Sequence, residues 1–100
     1  MVLKDVIKEV AEILGLSIDY KNLANDENYS DLLVSARIRL NQFYGSSIDE
    51  CTPIESHHKK MVLYGIAAEW AFLNGVFAVW KEYETKFNYE LYLYKETGGK

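Results

Sequence analysis

Met61-Val62-Leu63-Tyr64-Gly65-Ile66-Ala67-Ala68-Glu69-Trp70-Ala71-Phe72-Leu73-Asn74-Gly75-Val76-Phe77-Ala78-Val79-Trp80 is a run of 20 residues with one charge, Glu69, and one amide, Asn74. It is long enough to be weighed as a membrane span. A carboxylate at the centre of a span costs about 2.5–3.5 kcal/mol on insertion scales. The Asn74-Gly75 pair is also a strong turn signal. The run therefore reads as two buried helices joined at 74–75, a helical hairpin, and not as a span. A helix that is apolar nearly all round from Met61 needs neighbours on most of its sides, so this one is expected at the centre of the domain.

Outward from the hairpin, Thr52-Pro53-Ile54-Glu55 carries the clearest start signal in the chain. Thr52 suits an N-cap, Pro53 the first helical position and Glu55 the return arm of a capping box. The third helix is thus expected from about Thr52 to Leu73. The fourth is expected from Val76 to Tyr94, with Val76, Trp80, Tyr83, Phe87, Leu91 and Tyr94 as its inward stripe. Glu82 and Lys86 stand in the favourable i, i+4 order on its outer side.

The first half supplies two more helices. Leu3, Val6, Ile7, Val10, Ile13 and Leu14 follow helical spacing over residues 2–14, and Gly15 sits where a left-handed cap belongs. Tyr29, Leu32, Leu33, Ala36, Leu40 and Phe43 make the stripe of a second helix over 29–44, stopped by Gly45. The polar segment between these helices offers Asp19, Asn22, Asn25, Asp26 and Asn28, several of which can cap the second helix, and Ile18, Tyr20 and Leu23 to pin it to the core. The expectation is an all-α, four-helix bundle with a C-terminal helical hairpin, a single domain over 1–96 and a loose tail over 97–100.

Composition narrows the function classes. The chain of 100 residues is 49% hydrophobic and 26% charged, a globular balance. Its net charge of -4 speaks against gripping a nucleic-acid backbone alone, which needs clustered Lys and Arg. A local patch around Arg37 and Arg39 within a ring of subunits is compatible with it. A single cysteine, Cys51, rules out an internal disulfide. The N-terminal segment carries charges every few residues and does not read as a secretory signal.

Few residues suggest chemistry. His57 and His58 are adjacent, and neighbours on an α-helix point about 100° apart, poorly placed to hold one metal together. With Cys51 six positions before His57, they read as a polar first turn of the third helix. A Cys–His nucleophile would also need an orienting partner and an oxyanion site, which no residue pattern marks. Glu69 is expected at a helix edge or paired with Arg37 or Arg39. Gly65 is expected to admit a neighbouring helix closely, not to cradle phosphate. The reading is a protein without catalytic, cofactor-binding or metal-binding residues. Its candidate interface positions are Val34 and Ile38, which lie off the stripe of the second helix, and Tyr89, Tyr92 and Tyr94 near the C-terminus.

The residues Val62-Leu63-Tyr64-Gly65-Ile66-Ala67-Ala68-Glu69-Trp70, Leu73-Asn74-Gly75, Trp80 and the run Tyr83 to Leu91 resemble the C-terminal helical hairpin of small head–tail connector proteins of tailed bacteriophages, also called adaptor, head-completion or neck proteins. Ala11-Glu12-Ile13-Leu14-Gly15-Leu16 and the order of helix, polar loop, helix and hairpin are similar to theirs. The segment Gly45 to Cys51 is shorter than the β-rich insertion expected in some relatives. The resemblance implies a structural virion protein made in the host bacterial cytoplasm. Such a subunit forms a ring, commonly of twelve, that docks on the portal, extends the channel for passing double-stranded DNA and supports tail attachment. It implies no membrane partner. A generic helical interaction module of a cell is the alternative, distinguished by a discrete small oligomer in place of a ring.

Overall fold

Apolar residues at 3, 6, 7, 10 and 11 line the buried side of the first helix, α1 (Leu3–Leu14), in the computed structural model, which describes residues 1–98. Burying each of its Leu, Val and Ile side chains contributes about 1.5–3 kcal/mol. Gly15 closes α1 at φ 69, and the amides of Gly15 and Leu16 return to the carbonyls of Glu12 and Ala11. That left-handed turn is the cap the sequence announces.

A 3₁₀ turn, Leu23–Asn25, leads into α2 (Glu27–Tyr44). Asp26 is the N-cap. One carboxylate oxygen accepts from the Tyr29 amide at 2.8 Å, and the other accepts from the Asp19 amide at 2.8 Å, which ties the loop to the helix start. Tyr29, Leu32, Ala36 and Leu40 are buried, while Val34 and Ile38 stand in solvent. Ile18 and Leu23 pack on the core, but Tyr20 stays outside it, with the Lys8 ammonium 5.2 Å from its ring centre.

The third helix, α3 (Lys59–Leu73), starts six residues later than the Thr52-Pro53 signal indicates, after a 3₁₀ turn at Ser56–His58. Thr52, Pro53 and Glu55 do not cap it. They belong to an extended strap laid along the start of α1. The carbonyls of Thr52 and Glu50 accept from the Leu3 and Lys4 amides at 2.9 Å each, the Ile54 amide donates to the Met1 carbonyl at 2.8 Å, and Pro53 bridges Val2. The strap thus satisfies amides that the first turn of any helix leaves open. The Thr52 hydroxyl accepts from the Asp49 amide, closing a turn within the strap. Proline serves an extended edge as well as a helix start, and here pairing with α1, along with burial of Ile48 and Ile54, prevails over the capping box.

α3 packs against α1, α2 and the fourth helix, α4 (Phe77–Glu96), the central position its all-round apolar sequence requires. The hairpin turn uses Gly75 at φ 70, with the Gly75 and Val76 amides bonded to the Phe72 and Ala71 carbonyls. No helix among the described residues is long and apolar enough to cross a membrane. α4 lies against α3 and reaches α2 through Glu84, Phe87 and Tyr94. Only Phe87 of α4 is fully buried, and the rest of the expected stripe is half-buried or, at Val76, exposed. The first residues of the expected tail close α4, the Thr97 hydroxyl donating to the Tyr94 carbonyl; residues 99 and 100 lie outside the described residues.

Candidate functional site

One polar cluster fastens three helices together. Arg39 of α2 donates to Glu69 of α3, with nitrogens 3.1 and 3.2 Å from one carboxylate oxygen, and to Glu84 of α4 at 2.7 Å. Its guanidinium carbon sits 4.9 Å from the centre of the Phe87 ring. Glu69 is only 12% exposed, so the lone carboxylate of the apolar run is paired inside the fold. Gly65 makes this contact sterically feasible. A Cβ there would lie 2.9 Å from the Phe87 ring and 3.0 Å from the Arg39 stem. This arrangement engages the residues most suggestive of acid–base chemistry in holding α4.

The outer surface is more informative. At the hairpin tip Phe72, Leu73, Val76 and Phe77 are exposed, Phe77 by 66%. Leu73 and Asn74 border a small cavity of about 170 Å³ with Asp31, Val34 and Ser35, so the tip adjoins Val34. The sequence from Trp70 to Trp80 holds no charged residue. The tip segment itself is therefore apolar and uncharged, with Asp31 at its border, and depletion of charge is what distinguishes the centre of a protein interface. The hydropathy pattern assigned these side chains to the core, because periodicity alone does not reveal that α4 has no further helix on its far side. The uncharged run across the turn was the signal that could have marked them.

The tyrosines divide. Tyr89 and Tyr92 are exposed by 63% and 58%, and Tyr89 borders a cleft with Lys60, Tyr64 and Lys86. Tyr94 instead packs within the chain, its ring 5.1 Å from both Phe43, edge-on, and His58. The structure thus places Val34, Ile38, Tyr89 and Tyr92 in solvent, with Val34 beside the hairpin tip, and turns Tyr94 toward α2.

A larger cleft, about 460 Å³, runs between α2 and the strap, lined by Leu23, Tyr29, Leu33, Arg37, Glu50 and Cys51 among others. The Tyr29 hydroxyl donates to Glu50. Burial, then this carboxylate, pushes the Tyr29 phenol well above its ordinary value and keeps it neutral. Arg37 reaches the Ile48 carbonyl, and Cys51 is exposed. Burial likewise raises the Tyr44 phenol.

The strap's end gathers a different set. His57 and His58 lie in a 3₁₀ turn ahead of α3 and not within it, and their rings approach to 4.2 Å. His57 Nε2 is 3.3 Å from Glu55 Oε2, and one ligand atom from each of Glu55, His57 and His58 lies within 4.8 Å of the others. The expected divergence of the histidines does not hold, and Cys51 is not part of this group. Compared with known proteins, the chain matches no family model, and no curated protein or solved structure is significantly similar to it.

Proposed function

We propose that this chain is a non-enzymatic subunit of a phage head–tail connector ring, docking on the portal, extending the channel for double-stranded DNA and supporting the tail. The observation that carries the reading is the exposed apolar tip of the α3–α4 hairpin, Phe72, Leu73, Val76 and Phe77, which adjoins the exposed Val34. Contiguous apolar surface of this kind marks protein contacts. The exposed Tyr89 and Tyr92 add anchors that can bury a ring while keeping the hydroxyl bonded. The hairpin residues that resemble connector proteins supply the identity of the partners. The net charge of -4 suits a wall past which DNA must slide, since a basic lining would retain it.

Electron microscopy and sedimentation of the chain, alone and with its portal, test this. Annular assemblies are expected. Phe72→Ser with Phe77→Ser should abolish them, and Tyr89→Ala with Tyr92→Ala should weaken them, both with the helical circular-dichroism signal intact. A true interface anchor is worth about 2 kcal/mol or more, so the double variants should shift assembly by at least tenfold in concentration. A discrete small oligomer that ignores the portal would overturn the reading in favour of a cellular interaction module.

A further inference from the structure

We propose that Glu55, His57 and His58 form a binding site for a borderline divalent metal ion, Zn²⁺ foremost, at the junction of the strap and α3. Two imidazoles and a carboxylate are a ligand set that zinc accepts, with the remaining position open to water. Metal–ligand bonds of about 2.0–2.1 Å place tetrahedral ligands roughly 3.4 Å apart. The Glu55–His57 pair already stands at 3.3 Å, and the whole set falls within 4.8 Å. Closing the remaining gap asks for about an ångström of movement. The Glu55 and His57 side chains, 70% and 49% exposed, are free to make it.

The third ligand is the most fixed. His58 is half-buried, with Tyr94 of α4 5.1 Å from its ring, and it borders a cavity of about 190 Å³ together with His57, Met61 and Glu90. Its Nε2 is buried and has no hydrogen-bond partner among the described residues. A buried polar atom left in this state is destabilising. Either nitrogen of a neutral imidazole can bind a metal ion. Binding would join the end of the strap to the base of α3, where Glu55 and His57 otherwise make only an exposed side-chain contact.

Isothermal titration of ZnCl₂ into the full chain, carrying no affinity tag, provides the test. One Zn²⁺ per chain is expected. His57→Ala and His58→Ala should each weaken binding at least tenfold and Glu55→Gln several-fold, while Cys51→Ser leaves it within twofold. Because the ligands must be deprotonated, affinity should fall steeply between pH 7 and about pH 5. Circular dichroism checks that the variants fold; should His58→Ala fail, the exposed His57 decides the matter alone. The absence of binding at millimolar Zn²⁺, binding that survives His57→Ala, or binding that follows Cys51 would each overturn the proposal.

Discussion

Phe87→Ala should detach the fourth helix more effectively than any other single truncation. Phe87 is 3% exposed and is the only fully buried side chain of α4. Removing a buried phenylalanine costs about 3–5 kcal/mol, more when the surroundings cannot collapse into the space. Here they cannot readily do so: the facing position is Gly65, which has no side chain to move in. The Arg39 guanidinium above the ring also loses a contact worth about 0.5–2 kcal/mol. A net loss of about 4 kcal/mol follows, a large share of the 5–15 kcal/mol that holds a typical domain. At about 4–8 °C per kcal/mol, Tm should fall by more than roughly 15 °C. Urea unfolding followed by circular dichroism measures the loss, and fluorescence of Trp70 on α3 and Trp80 on α4 reports the hairpin directly. An early fluorescence transition would show α4 leaving first. A loss below about 1 kcal/mol in one shared transition would refute the view that this contact holds the helix. Gly65→Ala tests it from the other side: overpacking of about 1–3 kcal/mol, reduced by about 1 kcal/mol of gained helix propensity, should still leave a net destabilisation.

Two further perturbations address the loops. Hydrogen bonds from the Asp19 amide and then the Tyr29 amide hold the Asp26 carboxyl below its ordinary value of 3.8. The folded chain therefore prefers the carboxylate; its contribution is present above that value and lost as pH falls through the lower folded one. Asp26→Asn should flatten the dependence of Tm on pH below roughly pH 4, and an unchanged slope would mean the cap is not formed. Thr52→Ala removes a single acceptor for the Asp49 amide in the strap, so thermal melts should show a loss of about 0.5–1.5 kcal/mol. The helix signal of α3 should be unaffected, and a selective loss of it would restore Thr52 as the cap of that helix.

Local pattern was enough wherever one segment could satisfy itself. The apolar spacing of α1 and Gly15 after it specify both the helix and its end, because the cap bonds return to the same helix. The Asn74-Gly75 turn splits the apolar run into a hairpin for the same reason. The Arg39–Glu69 pairing was legible as a need, since a carboxylate in an apolar helix requires a cation, but choosing Arg39 over Arg37 and adding Glu84 depended on how α2 crosses α3 and α4.

Tertiary structure alone decided the rest. Thr52-Pro53-Ile54-Glu55 carries a valid helix-start pattern, yet α1, far earlier in the chain, offers the strap its unpaired Leu3 and Lys4 amides, and that long-range pairing prevails over the local cap. The same displacement leaves His57 and His58 in a 3₁₀ turn ahead of α3, and their rings meet through side-chain placement that residue spacing does not reveal. The stripe of α4 correctly identified Phe87, but periodicity records only that a side chain is apolar, not how many helices stand around it. With α4 on the edge of the fold, the hairpin tip remains in solvent, so that Phe72, Leu73, Val76 and Phe77 form surface where the sequence suggested core.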